Sequence, residues 1–142
     1  TSDIDSKYSV MLQTDISHKM VATRAGLGWI GKTDLFVSKV HGPRLRLVSI
    51  LLKTPSLPNS KPIDKSCCGT CSICVDICPA KAATGKLWDI TVKREEFFDP
   101  WKCRKQCVEF GRLRLGMDAR VCGMCVAVCP IGRKDQNIQV TN

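Results

Sequence analysis

Long apolar runs are missing from these 142 residues, and none approaches the ~20 that a bilayer-crossing helix requires. The start carries neither an apolar h-region nor a small-residue cleavage site, so no secretory leader is read there. Thr1 stands where a methionine would, as it does after initiator removal or inside a longer chain. Histidine is scarce: His18 falls at a helix start and His41 in a turn, where surface roles are expected. Acidic residues are outnumbered, 13 Asp+Glu against 22 Lys+Arg, for a formal charge of +9. That excess is compatible with nucleic acid, an acidic redox partner or simple solubility, and chooses among none of them. With no membrane span and no leader, the expected setting is a soluble, reducing compartment, the cytoplasm.

Cysteine is what the chain has in excess. There are ten, in a chain that is 44% hydrophobic and 25% charged and so suits one compact domain or two small ones. Cys68, Cys71, Cys74 and Cys78, followed by Pro79, follow C-x2-C-x2-C-x3-C-P, the bacterial ferredoxin spacing for a [4Fe–4S] cubane. In that arrangement the first three thiolates wrap one cluster and the fourth points at another. Cys122, Cys125 and Cys129, followed by Pro130, supply the second run. Crossed pairing assigns Cys68, Cys71, Cys74 and Cys129 to cluster A, and Cys78, Cys122 and Cys125 to cluster B. Cluster B then needs Cys103 or Cys107, because Cys67 lies too close to the first loop. The prolines stop the turn after each last ligand. A disulfide framework has no reason to produce paired runs of this kind. Zinc would want two separated C-x2-C pairs without the further cysteine three residues on. A catalytic thiol at Cys67 or Cys107 has no histidine near it in sequence.

Gly26-Leu-Gly28-Trp-Ile-Gly31-Lys32-Thr33 matches both G-x-x-x-x-G-K-[ST] and G-x-G-x-x-G. Both phosphate loops need a strand before and a helix after. Here the order is reversed: Ser17 caps a short helix predicted from about His18 to Ala25, and a β-type segment follows the glycines. Trp29 and Ile30 would also crowd a phosphate. A glycine-rich turn packed closely on another element is the expectation.

Residues 35–40 and 45–52, around the turn His41 to Arg44, read as a β-hairpin. Residues 53–65, with Pro55, Pro58 and Pro62, read as a linker. Ala80 to Gly85 reads as a short helical turn, and Asp99-Pro100-Trp101 opens a helix reaching about Phe110 and carrying Cys103 and Cys107. Residues from Ile131 onward read as a polar tail. The expected fold class is α+β: a small helix and β-hairpin front part over 1–62, a ferredoxin-like two-[4Fe–4S] domain over 63–135, and a tail over 136–142.

The block from Ala22 to Lys32, the Gly42-Pro43 turn and the two cysteine runs together resemble the epoxyqueuosine reductase family over about Ser17 to Arg133. These are cobalamin-dependent iron–sulfur enzymes related in build to reductive dehalogenases. The resemblance implies electron delivery from two cubanes to a cobalamin cobalt, and reduction of an epoxide in a modified base of a tRNA anticodon. It implies Cys103, after the basic Lys102, as the eighth ligand. It implies that Gly26, Gly28, Trp29, Gly31 and Lys32 lie near the cobalamin, and that Asp15 is the nearest candidate for the family's proton donor. The motif D-x-H-x-x-G of histidine-ligated cobalamin is lacking. The family's pocket draws on a substantial N-terminal region, of which little precedes Ser17, so the front part reads as a remnant of that domain and a second chain completing the site is implied. The expected partners are a redox protein and tRNA; the alternative is a stand-alone dicluster ferredoxin-type carrier or redox subunit.

Overall fold

The computed structural model describes residues 12–53 and 60–133. Ser17 starts the first helix: its hydroxyl accepts from the Met20 amide, and α1 runs His18–Arg24. Ala25 closes it and Gly26 turns left-handed at φ 69°. The predicted short helix is present.

The glycine block then becomes a strand. β1, Gly28–Ile30, pairs antiparallel with β2, Phe36–Ser38, in the register Gly28↔Ser38, Trp29↔Val37, Ile30↔Phe36. This corrects the expected hairpin: residues 35–40 do hold a strand, but its partner lies upstream. The reason is local. The Gly31 amide donates to the Leu35 carbonyl at 2.8 Å and the Asp34 amide to the Gly31 carbonyl at 3.0 Å, with Asp34 at φ 59°. So short a reversal loses little loop entropy. At Gly28 a Cβ would stand 2.0 Å from the Val37 carbonyl oxygen, an approach only glycine permits. Residues 45–52 form no strand, and Val48 and Leu51 are 82% and 84% exposed.

The cysteine half is built from short helices. α2 (Ile73–Asp76) lies inside the first run, and α5 (Met124–Val128) inside the second. Between them come α3 (Arg94–Phe97) and α4 (Pro100–Leu115). Asp99 caps α4 by accepting from the amides of Trp101 and Lys102, and Pro100 occupies the first turn, where no amide is missed. The helix outruns the predicted end at about Phe110 because Gly116, at φ 64°, is the residue that terminates it. The helical turn expected over Ala80 to Gly85 is not formed. Ala82 and Ala83 are buried instead, and Ala83 bridges to Phe98 in extended pairing.

Ile30, Ala82, Ala83, Trp88, Phe97 and Phe98 form the core, with Met20, Val75, Cys78 and Cys103 packed against its edge. Burying a Phe side chain such as Phe97, 1% exposed, contributes about 1.5–3 kcal/mol. The same cluster draws on Ile30 of the front part and Phe97 of the cysteine half. Contacts also cross the boundary expected near residue 62: the Ile63 amide donates to the Thr23 carbonyl at 3.0 Å, and Arg24 pairs with Asp64 at 2.5 Å. The middle of the predicted linker, 54–59, and the predicted tail, 136–142, lie outside the described residues. Ile131 and Gly132, at the start of the stretch read from Ile131 onward as a polar tail, instead pack on the turn at His41 and Gly42.

Candidate metal centre

All ten cysteines are free thiols. Cys71 precedes α2, Cys74 sits on it and Cys78 follows it, while Cys125 sits on α5 with Cys122 before it and Cys129 at its C-cap. The two short helices pack against each other, and this contact brings the two sequence-distant runs together. Cys103 and Cys107 lie one turn apart on α4 and so share a face.

The thiol neighbourhoods follow from this packing. Burial pushes the Cys74 thiol up to about 11, helped by the nearby sulfurs of Cys68, Cys125, Cys129 and Cys71. Burial likewise pushes Cys103 up to about 12, with Cys107, Cys125 and Cys78 as its neighbours. Burial raises Cys107 too; Cys122 and Cys78 add to the rise, and a hydrogen bond from Cys103 opposes it. Both α4 thiols therefore adjoin Cys78, Cys103 reaching toward Cys125 and Cys107 toward Cys122. Cys67 is exposed, its Sγ 3.9 Å from the Lys65 carbonyl.

A dense, half-buried set of thiols is a soft donor set of the kind that holds iron–sulfur clusters. Among the described residues no three His, Cys, Asp or Glu side chains converge as a single bound ion needs. A cubane asks for something different, since its four thiolates bind four different irons and stand further apart. The residues present fit that group.

The glycine block supplies the contacts around these sulfurs. Trp29, 6% exposed, donates its indole N–H to Cys68 Sγ at 3.3 Å. Lys32, also 6% exposed, donates from Nζ to the Cys71 carbonyl at 2.9 Å. The Thr33 hydroxyl lies beside Cys125 and opposes the rise that burial imposes on its thiol. Downstream of β2, Arg44 donates to the carbonyls of Ile131 at 2.8 Å and Cys129 at 2.5 Å. Gly42 lies under that segment, where a Cβ would fall 1.9 Å from the Ile131 carbonyl oxygen. The close-packed glycine turn expected from the sequence is thus a brace spanning both cysteine runs.

Thr33 and Arg44 were not legible as site residues. Their only signal is position, just after the glycine block and just after Gly42-Pro43. Asp15 is exposed on the loop before α1, where Ser17 and not Asp15 provides the cap. His18 is exposed and shares a 2.8 Å hydrogen bond with Ser49, and His41 is exposed in its turn. Gly26 packs on Lys61, and a Cβ on Gly31 would meet Cys68 Sγ at 3.6 Å. No helix among the described residues is long and apolar enough to cross a membrane.

A family model described as a 4Fe-4S double cluster binding domain matches residues 67–132. Curated relatives named epoxyqueuosine reductase are similar to this chain. The protein from Cyclobacterium marinum is 32% identical over 127 residues, 83% of this chain and 37% of its own. That from Staphylococcus aureus is 31% identical, over 91% of this chain and 33% of its own. That from Synechococcus sp. strain RCC307 is 38% identical, over 79% of this chain and 33% of its own. The chain therefore spans about a third of the length of these relatives. No solved structure matches.

Proposed function

We infer, from the premise that this chain is an epoxyqueuosine-reductase-like iron–sulfur protein corresponding to the C-terminal iron–sulfur part of that family, that it transfers electrons through two [4Fe–4S] clusters within a cobalamin-dependent reductase. The observation that carries this reading is the meeting of the two cysteine runs through α2 and α5, with thiols crowding one another across that contact.

Cys68, Cys71, Cys74 and Cys129 would hold cluster A, and Cys78, Cys103, Cys122 and Cys125 cluster B. Once bound, such clusters supply one-electron transfer at potentials the surrounding protein tunes. The chain's own residues do the rest. The core packed on Cys78 and Cys103 keeps water from one side of the site, and Arg44 anchors the chain at Cys129. Gly26, Gly28, Trp29, Gly31 and Lys32 stand on the front side of cluster A. Trp29 and Lys32 have their polar atoms engaged by the cysteines, which ties this face to cluster A. A cobalamin site is then completed by a second chain or segment. Support for such a partner comes from the apolar stretch at Val48, Ile50, Leu51 and Leu52, 68–84% exposed. Asp15 remains the candidate proton donor of the completed site.

In this reading the protein works in the cytoplasm, receives electrons from a redox protein and serves a tRNA substrate. The outer face of α4, where Lys102, Lys105 and Arg112 are exposed, suits a polyanion. Steeply salt-dependent tRNA binding is the expected behaviour.

Two measurements test the proposal. Anaerobically loaded protein should contain about eight irons per chain, and far fewer would overturn it. Cobalamin added to the reduced protein, alone and with the product of a neighbouring gene, should give a bound corrinoid spectrum. No binding in either case would leave a stand-alone dicluster carrier as the better description.

A further inference from the structure

We propose that Trp29 and Lys32 tune cluster A, raising its reduction potential. The proposal rests on the two-cluster reading above and adds to it a protein-side control of one of the two sites. Trp29 is buried in β1, and its indole N–H donates to the sulfur of Cys68 at 3.3 Å. A hydrogen bond to a ligating sulfur favours the form carrying more negative charge, which is the reduced cluster.

Lys32 adds a full charge. It is buried, it donates to the Cys71 carbonyl, and among the described residues no carboxylate pairs with it. A buried ammonium without a counter-ion is costly, and a carbonyl dipole compensates it only in part. A cubane with four thiolates carries about −2 when oxidised and about −3 after one electron is added. Cluster A is therefore the missing counter-ion, and its attraction for Lys32 grows on reduction. From the same block, the neutral hydroxyl of Thr33 lies beside Cys125, a ligand assigned to cluster B. The asymmetry comes from one strand and the turn after it: the N–H and the cation go to one cluster, the hydroxyl to the other.

The test is a redox titration of the fully loaded chain, with dithionite supplying the single electron each cluster accepts and electron paramagnetic resonance following both couples. Trp29→Phe and Lys32→Gln should each lower the same one of the two midpoints. The expected size is about a tenfold change in the reduction equilibrium, which for one electron is about 59 mV. Lys32→Arg keeps the charge and should stay near the unsubstituted value. Cys68→Ser should perturb the same couple, and a shift confined to the other couple overturns the assignment. Unmoved midpoints with about eight irons bound overturn the tuning and leave the cluster reading intact, as does an equal shift in the Gln and Arg variants. Far fewer irons in the unsubstituted chain overturn both. Should Lys32→Gln fail to load, Trp29→Phe, which keeps the buried ring, carries the test alone.

Discussion

At the scale of single residues, the thiols are distinguished by their surroundings more than by their spacing. In the metal-free folded chain Cys74 and Cys103 hold their protons up to about pH 11 and 12, against an ordinary value of 9.0. Alkylation at pH 8, read by mass spectrometry, should be slow at both and should accelerate as pH approaches those values. The linkage has the same sign. Folded pKa values raised above the unfolded one favour the metal-free fold below about pH 9, and that contribution is lost as pH rises through 11 to 12. Cys103 and Cys107 separate by substitution. Cys103→Ser should lose the irons of one cluster, about four of eight, while Cys107→Ser should retain them; iron and sulfide analysis reads the difference. The cysteine positions were fully legible in the sequence. Which α4 thiol would serve as the eighth ligand was not, because Cys103 and Cys107 occupy one helix face and both adjoin Cys78.

Secondary-structure elements were legible where a local signal dominates. α1 begins at Ser17 and the start of α4 at Asp99-Pro100 follows from capping chemistry alone. Asp99→Ala should cost about 1 kcal/mol, measured as a lower urea midpoint of the loaded chain, because two amides of α4 lose their acceptor. Partial loss of Cys103 ligation should accompany it. The expected hairpin is not formed, because alternation in residues 45–52 is a strand signal that only a partner can satisfy. Gly28–Ile30 pairs with β2 instead, through a reversal too short to show in a hydrophobicity pattern. Gly42→Ala should be more damaging than the cap variant. It combines φ 58° with a clash against the Ile131 carbonyl, and should accelerate cluster loss when visible absorbance is followed at fixed temperature.

At the scale of the whole molecule, the front part and the cysteine half are joined by the core and by the brace on the cysteines. Phe97→Ala should cost about 3–5 kcal/mol, since Phe97 touches solvent over only 1% of its surface. Removing iron with a chelator should leave that core but release the sulfurs, so trypsin cleavage after Lys65, Lys102 or Arg120 should become faster than in the loaded protein. The formal charge of +9 counts cysteine as neutral, and two clusters bring it to about +5. Any affinity for tRNA should therefore fall less steeply with salt in the loaded protein than in the metal-free one.

By itself the sequence determined the ligand chemistry. Thiolates at C-x2-C-x2-C-x3-C-P spacing suit the irons of a cubane by local chain geometry, and that geometry is written in a dozen consecutive residues. The glycine block resisted such a reading, since its motif fits phosphate loops as well as it fits a strand. Only the tertiary structure decided its role: Trp29 lies against Cys68, Lys32 against Cys71 and Thr33 against Cys125. These contacts join residues far apart in the chain, and the physical reason is burial. A tryptophan, a lysine and a threonine taken out of water must find partners, and the cysteine runs are where the fold provides them.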